Sequence, residues 1–110
     1  MPWTFDSALD DVLVAVLERD DEMGYFALRI GELDTIVTVS LGRFMNGETT
    51  KFSVSHAIHT PTQGGPYRTS KPFADYPSYA LHMAISGLTN YYRDAVKNGH
   101  EPSESWLVEY

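Results

Sequence analysis

GYFALRIGELDTIVTVSLGRFMNGETTKFSVSHAIHT, residues 24–60, is the stretch that decides the fold. It reads as a three-stranded antiparallel meander, and its register follows from the letters. Asn46-Gly47 is the strongest turn signal in the chain, because Asn-Gly accepts the positive φ that both central positions of a type I′ hairpin require. With that turn, Met45 faces Glu48, and the pairs run back through Leu41–Phe52, Val39–Val54, Val37–His56 and Thr35–Ile58. One face is then almost wholly apolar, and the other carries the hydroxyl pairs Thr38–Ser55 and Ser40–Ser53. A slip by one residue would bury those hydroxyls, so turn and pattern specify the same register. A first hairpin with Glu32-Leu33 at its tip sets Leu28 opposite Val37 and Phe26 opposite Val39, adding Phe26, Leu28 and Ile30 to the same apolar face. The outer face is left with Tyr25, Arg29, Ile36, Thr38, Ser40, Ser53, Ser55 and Lys51, which reads either as a solvated sheet face or as a docking platform.

Helical spacing flanks the meander. Phe5, Leu9, Val12, Leu13, Val16 and Leu17 recur on one stripe of a 3.6-residue period, which predicts a first helix over 4–19 with Thr4 or Ser7 as its cap. Asp20-Asp21-Glu22-Met23-Gly24 then turns the chain into the sheet. Residues 60–75 hold three prolines and two glycines, which excludes a helix or a central strand. A connection of that length reads as a binding loop carrying Tyr67, Arg68, Lys71 and Phe73, or as a crossing held down by Tyr67 and Phe73. A second helix is predicted over 76–98, with Asp75 as cap, Pro77 in its first turn and Gly99 as its stop. Its buried stripe is Leu81, Ala84, Ile85, Leu88, Tyr92, Ala95 and Val96, with His82, Ser86, Thr89 and Arg93 on the far side. Gly87 in mid-helix points to a close approach of helix and sheet. The apolar end Trp106-Leu107-Val108 is expected to be docked, with pairing as an added strand left open. The expected fold is therefore a single α+β domain over 1–110, two-layered, of order α-β-β-β-α, with both helices on one face of a three-stranded meander.

Charge is distributed unevenly. Asp6, Asp10, Asp11, Glu18, Asp20, Asp21 and Glu22 stand near the N-terminus against Arg19, while Arg43, Lys51, Arg68 and Lys71 follow later against Glu48. The net charge of −7 is the opposite of a nucleic-acid footprint, and an acidic face attracts basic protein surfaces. No apolar run approaches a membrane span, and no basic-then-apolar leader opens the chain, so no membrane association and a cytoplasmic location are expected. Cysteine is absent, which removes disulfides, thiolate nucleophiles and Cys-based zinc sites.

Catalytic patterns are missing. There is no G-x-S-x-G, and Gly64-Gly65 lacks both nucleotide-loop spacings. His56 and His59 stand three apart, which on a strand puts them on opposite faces, so no metal site is expected. The reading is of a non-enzyme without cofactor.

The α-β-β-β-α order resembles that of double-stranded RNA-binding domains, a family that reads RNA through a basic start to its last helix. Here that helix begins Asp75-Tyr76-Pro77-Ser78 and the first is acidic, so no RNA contact transfers to any residue and no duplex binding is expected. In length, charge, lack of cysteine, an acidic helix over 6–22 and a meander-plus-helix layout, the chain resembles the small anti-CRISPR inhibitors encoded by phages and mobile elements. That resemblance implies a non-enzymatic protein that binds and blocks a nucleic-acid-handling complex in the host cytoplasm, in some cases by presenting carboxylates where phosphates would lie. Arg43, Lys51, Arg68 and Lys71 depart from a uniformly acidic mimic and leave a one-faced version.

The leading expectation is a partner-binding protein that uses Asp6, Asp10, Asp11, Asp20, Asp21 and Glu22, with Tyr67 and Arg68 on the loop, against a basic protein surface. Two alternatives stay open. One is a homo-oligomeric assembly protein that pairs through its sheet face or tail, the chain being either a monomer or a homodimer. The other is a small ligand-binding or enzymatic domain using His56, His59 or His82 with Tyr67 and Arg68 in a cleft under the long loop.

Overall fold

The meander forms in the register that its hydroxyl pairs imply. The computed structural model describes residues 3–44 and 49–110. Strands β2 (Tyr25–Ile30), β3 (Val37–Phe44) and β4 (Thr49–Val54), numbered to follow a strand β1 described below, run antiparallel. Phe26 faces Val39 and Leu28 faces Val37; Leu41 faces Phe52, Ser40 faces Ser53 and Val39 faces Val54. The Asn46-Gly47 turn, with Met45 and Glu48, lies outside the described residues. Phe26, Leu28, Ile30, Val37 and Val39 are fully buried on the inner face, while Tyr25, Arg29, Ser40, Lys51 and Ser53 remain exposed on the outer one.

The expected first helix is two elements. Helix α1 covers only Phe5–Leu9, opened by a reciprocal Thr4–Ser7 capping box. The Asp11 carboxylate accepts from the Leu13 N–H at 2.9 Å and turns the chain. Residues Val14–Asp20 then form strand β1, antiparallel to β2 at the edge of the sheet. The physical reason is in the side chains. Val12, Val14 and Val16 alternate, and β-branched residues favour a pleated strand over a helix. A bulge between Val16 and Glu18 slips Leu17 into the strand, and that extra residue makes a two-residue period look helical.

The end of the meander departs from expectation as well. Val37–His56 and Thr35–Ile58 do not pair, because the β3–β4 ladder stops at Val39–Val54. Ser55 makes the break. Its N–H still donates to the Thr38 carbonyl at 2.9 Å, but the Thr38 N–H donates to the Ser55 hydroxyl at 2.8 Å. The freed Ser55 carbonyl accepts from the Tyr110 N–H at 3.1 Å. The chain therefore leaves the first sheet, and β5 (His56–Ile58) pairs with the tail strand β7 (Leu107–Glu109). The tail is thus docked as a strand, preceded by a 3₁₀ turn (Glu104–Trp106) that buries Trp106.

Residues Phe73–Ala74 form β6, which pairs with β4 and completes a five-stranded antiparallel sheet of order β1-β2-β3-β4-β6. Helix α2 (Pro77–Lys97) lies across the inner face. It starts at Tyr76 without a side-chain cap, so Asp75 does not take that role, and it stops at Asn98 with Gly99 at φ +88°. Ala80, Leu81, Ala84, Ile85, Leu88, Tyr92 and Ala95 are buried, each large aliphatic contributing about 1.5–3 kcal/mol relative to exposure. Val96 is exposed, contrary to the predicted stripe. Thr89 is buried instead, and its hydroxyl donates to the Ile85 carbonyl at 3.1 Å. Ala8 and Leu9 of α1 join the same core beside Phe26, Leu28 and Leu81, so both helices cover one face of an α+β fold.

Candidate functional site

Helix α2 separates the expected site residues into two groups. Gly87 and Tyr91 share one flank, four residues apart, while His82, Ser86 and Arg93 lie on the other. The acidic residues stand beside the second flank, and Tyr67 packs against the first.

On the acidic side, Asp6 is exposed on α1 and Asp21 sits in the β1–β2 turn. Arg19 holds both, with Nη1 at 2.7 Å from Asp6 Oδ1 and Nε at 2.7 Å from Asp21 Oδ1. The Arg19 hydrogen bond holds the Asp21 carboxyl below the usual carboxylate range. Asp11 is half-buried and bonded to the Arg93 guanidinium. Burial pushes the Asp11 carboxyl up, but the Arg93 hydrogen bond and the Leu13 N–H outweigh it and hold it below its ordinary value. Asp20 accepts from the Met23 N–H at 2.9 Å and shapes the turn. Asp10, Glu18 and Glu22 are exposed, and none is in an ion pair among the described residues. Three of the six expected acids are thus tied into the fold by arginine, and Glu18 joins the free ones. This end still gathers seven carboxylates, from Asp6 to Glu22, against Arg19 and Arg93.

The opposite edge of the sheet is basic. Lys51 on β4 pairs with Phe73 on β6, Lys71 precedes β6, and Arg43 lies on the neighbouring strand. Among the described residues the outer edge of β1 carries no strand, and residues 15–20 are exposed.

On the other flank the long connection is a built wall. Gln63 donates to the Ile58 carbonyl at 3.1 Å and accepts from the Thr60 N–H at 2.7 Å. The Tyr67 N–H donates to the Ile58 carbonyl at 2.9 Å, and its ring lies 5.1 Å from the Tyr91 ring. A Cβ at Gly87 would stand 3.0 Å from the Tyr67 ring, so the close approach is between helix and loop, not helix and sheet. Arg68 donates to the Glu109 carbonyl at 3.3 Å and lies over the Tyr110 ring at 5.5 Å, joining loop to tail. Tyr67 and Arg68 therefore do not extend the acidic surface.

The histidines do not converge. His56 belongs to the loop-side flank, while His82 stacks on Trp3 at 3.6 Å on the opposite one, where burial lowers its pKa. No cluster of three or more metal-ligating His, Asp or Glu side chains occurs among the described residues, and no helix among them is long and apolar enough to cross a membrane. Nothing in the sequence pointed to the Ser55 break, and although a held-down Tyr67 and a close approach at Gly87 could each be read, their meeting could not, because both features depend on partners far along the chain. Comparison with protein-family models, curated proteins and solved structures gives no significant match to this chain.

Proposed function

We propose that the chain is a non-enzymatic binding protein that docks a basic surface of a protein partner through its acidic end. In this reading it acts as an inhibitor of a nucleic-acid-handling complex, of the anti-CRISPR kind. The observation that carries the reading is the polarity of the sheet. One edge presents β1, whose outer side carries no strand among the described residues, flanked by Asp10, Glu18, Asp20 and Glu22, and the other edge carries Lys51 and Lys71. An unpaired edge strand offers main-chain hydrogen bonds, and the carboxylates around it select a basic partner and speed encounter. The bulge at Leu17 limits indiscriminate edge pairing, which leaves charge as the selector. The homo-oligomer alternative loses one of its two supports, since Trp106 and Leu107 are buried within the chain itself.

The test neutralises only the acids that hold nothing in place. The variant Asp10→Asn, Glu18→Gln, Glu22→Gln is compared with the unaltered protein in affinity capture from a bacterial lysate at low and high salt. A nucleic-acid-processing complex captured by the unaltered protein at low salt, and lost both at high salt and with the variant, is the expected result. Capture that survives all three substitutions would reduce the acidic end to a solubility device.

A further inference from the structure

A cavity of about 380 Å³ opens between α2, β4, β5 and the loop, on the flank away from the acidic end. Its size falls within the range of about 300–1,000 Å³ usual for small-ligand sites. Val54, Ile58, Met83 and Leu88 supply apolar walls. The opening exists because α2 presents Ala84 and Gly87 there, and Tyr67 closes over Gly87 as the outer wall. A mid-helix glycine costs about 1 kcal/mol against alanine, so the space for that ring is maintained against propensity. The loop is already pinned by Gln63, Tyr67 and Arg68, so a ligand would have little to order on entry.

The polar side chains that line the cavity are those of Lys51, Ser53, His56, Tyr67, Thr69 and Tyr110. The chain has 15 Asp and Glu residues, yet none of the described ones lines this cavity, whereas Lys51 and His56 do. The Thr38 N–H donates to the Ser55 hydroxyl at 2.8 Å, and that hydroxyl lies 2.8 Å from His56 Nδ1. Where Ser55 gives its proton to Nδ1, the ring proton stands on Nε2, which is then a donor. Val54 turns its main chain toward this side as well. Phe52 directs its N–H to the Pro72 carbonyl at 2.8 Å, away from β3, and alternation turns the Val54 N–H and C=O the same way. Strand β6 pairs with Thr50 and Lys51, no strand among the described residues pairs with Val54 on that side, and Val54 is part of the cavity lining.

We propose that this cavity binds a small amphipathic carboxylate. Its aryl or branched-alkyl body packs against Val54, Ile58, Met83 and Leu88, and its carboxylate sits at the rim among the Val54 N–H, His56 Nε2–H and the field of Lys51. The site is independent of the acidic end, and the two can fail separately.

The test is titration of 2-naphthoate into ¹⁵N-labelled protein, with neutral 2-naphthamide as the matched control. Saturable shifts at Val54, His56, Ala57, Gly87 and Leu88 are expected, with the amide about tenfold weaker. Lys51→Gln, at an exposed position, is expected to weaken naphthoate severalfold and leave the amide unchanged. Met83→Trp is expected to abolish both by filling the cavity; if it does not fold, the Lys51→Gln comparison stands alone. Absence of saturable shifts, shifts confined to another surface, or equal binding of acid and amide would each overturn the proposal.

Discussion

Gly31 lies against the phenol of Tyr92 with no space for a side chain between them. Gly31 has φ +55°, and a Cβ there would overlap the Tyr92 hydroxyl and ring. The same hydroxyl accepts from the Glu32 N–H at 3.0 Å, and the Gly31 N–H donates to the Leu13 carbonyl at 2.6 Å. One glycine thus joins α2, the β2–β3 connection and the approach to β1. Gly31→Ala is expected to cost about 2–4 kcal/mol, because a left-handed backbone and a steric overlap are imposed together. Gly99 is the control: its φ is +88° with nothing within 4 Å of a Cβ, so alanine there costs only about 1–2 kcal/mol of backbone strain. Urea midpoints of the two variants decide it. Equal losses would mean that the Tyr92 contact carries no weight.

Asp11 and Arg93 join the start of the chain to the last turns of α2. The folded-state Asp11 carboxyl lies below its ordinary value, so on acidification the unfolded chain takes up this proton first. The pair's contribution is therefore fully present above the unfolded pKa of about 3.9 and is lost as pH falls through the lower folded value. Arg93 is nearly half exposed, which holds that contribution to about 1 kcal/mol. Asp11→Asn should lower the urea midpoint at pH 7, and its gap from the unaltered protein should shrink as the pH falls below about 3.9. A gap that stays constant across that range would show that packing, not charge, joins the two elements.

His82 is stacked face to face on Trp3, and burial lowers its pKa. The unfolded chain therefore protonates His82 first, and stability declines as pH falls from the unfolded value of about 6.5 toward the folded one. An NMR titration of the His82 ring is expected to show a midpoint below 6.5, and Trp3→Ala should move it upward by uncovering the ring. An unchanged midpoint in that variant would locate the cause elsewhere on α2.

How much of this was legible depended on how local each constraint was. The register from Phe26 to Phe52 could be read because Leu28, Val37 and Val39 must point inward while Ser40 and Ser53 point outward. Strand β1 was misread because edge strands carry charge, and Glu18, Arg19 and Asp20 beside a bulged Leu17 look like one side of an amphipathic helix. The docking of Trp106 was legible from its apolarity, but its partner β5 was not, since Ser55 gives its carbonyl to Tyr110. The acidic end could be counted from the sequence. That Arg19 and Arg93 hold three of its acids, and that Tyr67 and Arg68 stand on the opposite flank, came only with the packing of α2.

Trp106 provides the last expected outcome. Its ring meets Tyr92 edge-on at 5.6 Å, inside the part of the core that also holds Ile30, Val37, Ile58 and Leu88. The tail is therefore not a strand resting on a finished fold, because it closes one end of the core. Trp106→Ala is expected to cost about 3–5 kcal/mol, as removal of a fully buried indole does. Arg68→Ala, which releases only the exposed Glu109 and Tyr110 contacts, should stay within about 0.5 kcal/mol. The pair separates two accounts of the tail. If the indole closes the core, Trp106→Ala lowers the urea midpoint steeply and Arg68→Ala does not. If the tail is held mainly by its surface contacts with the loop, the two variants lose comparable stability, and the assignment of Trp106 to the core is wrong.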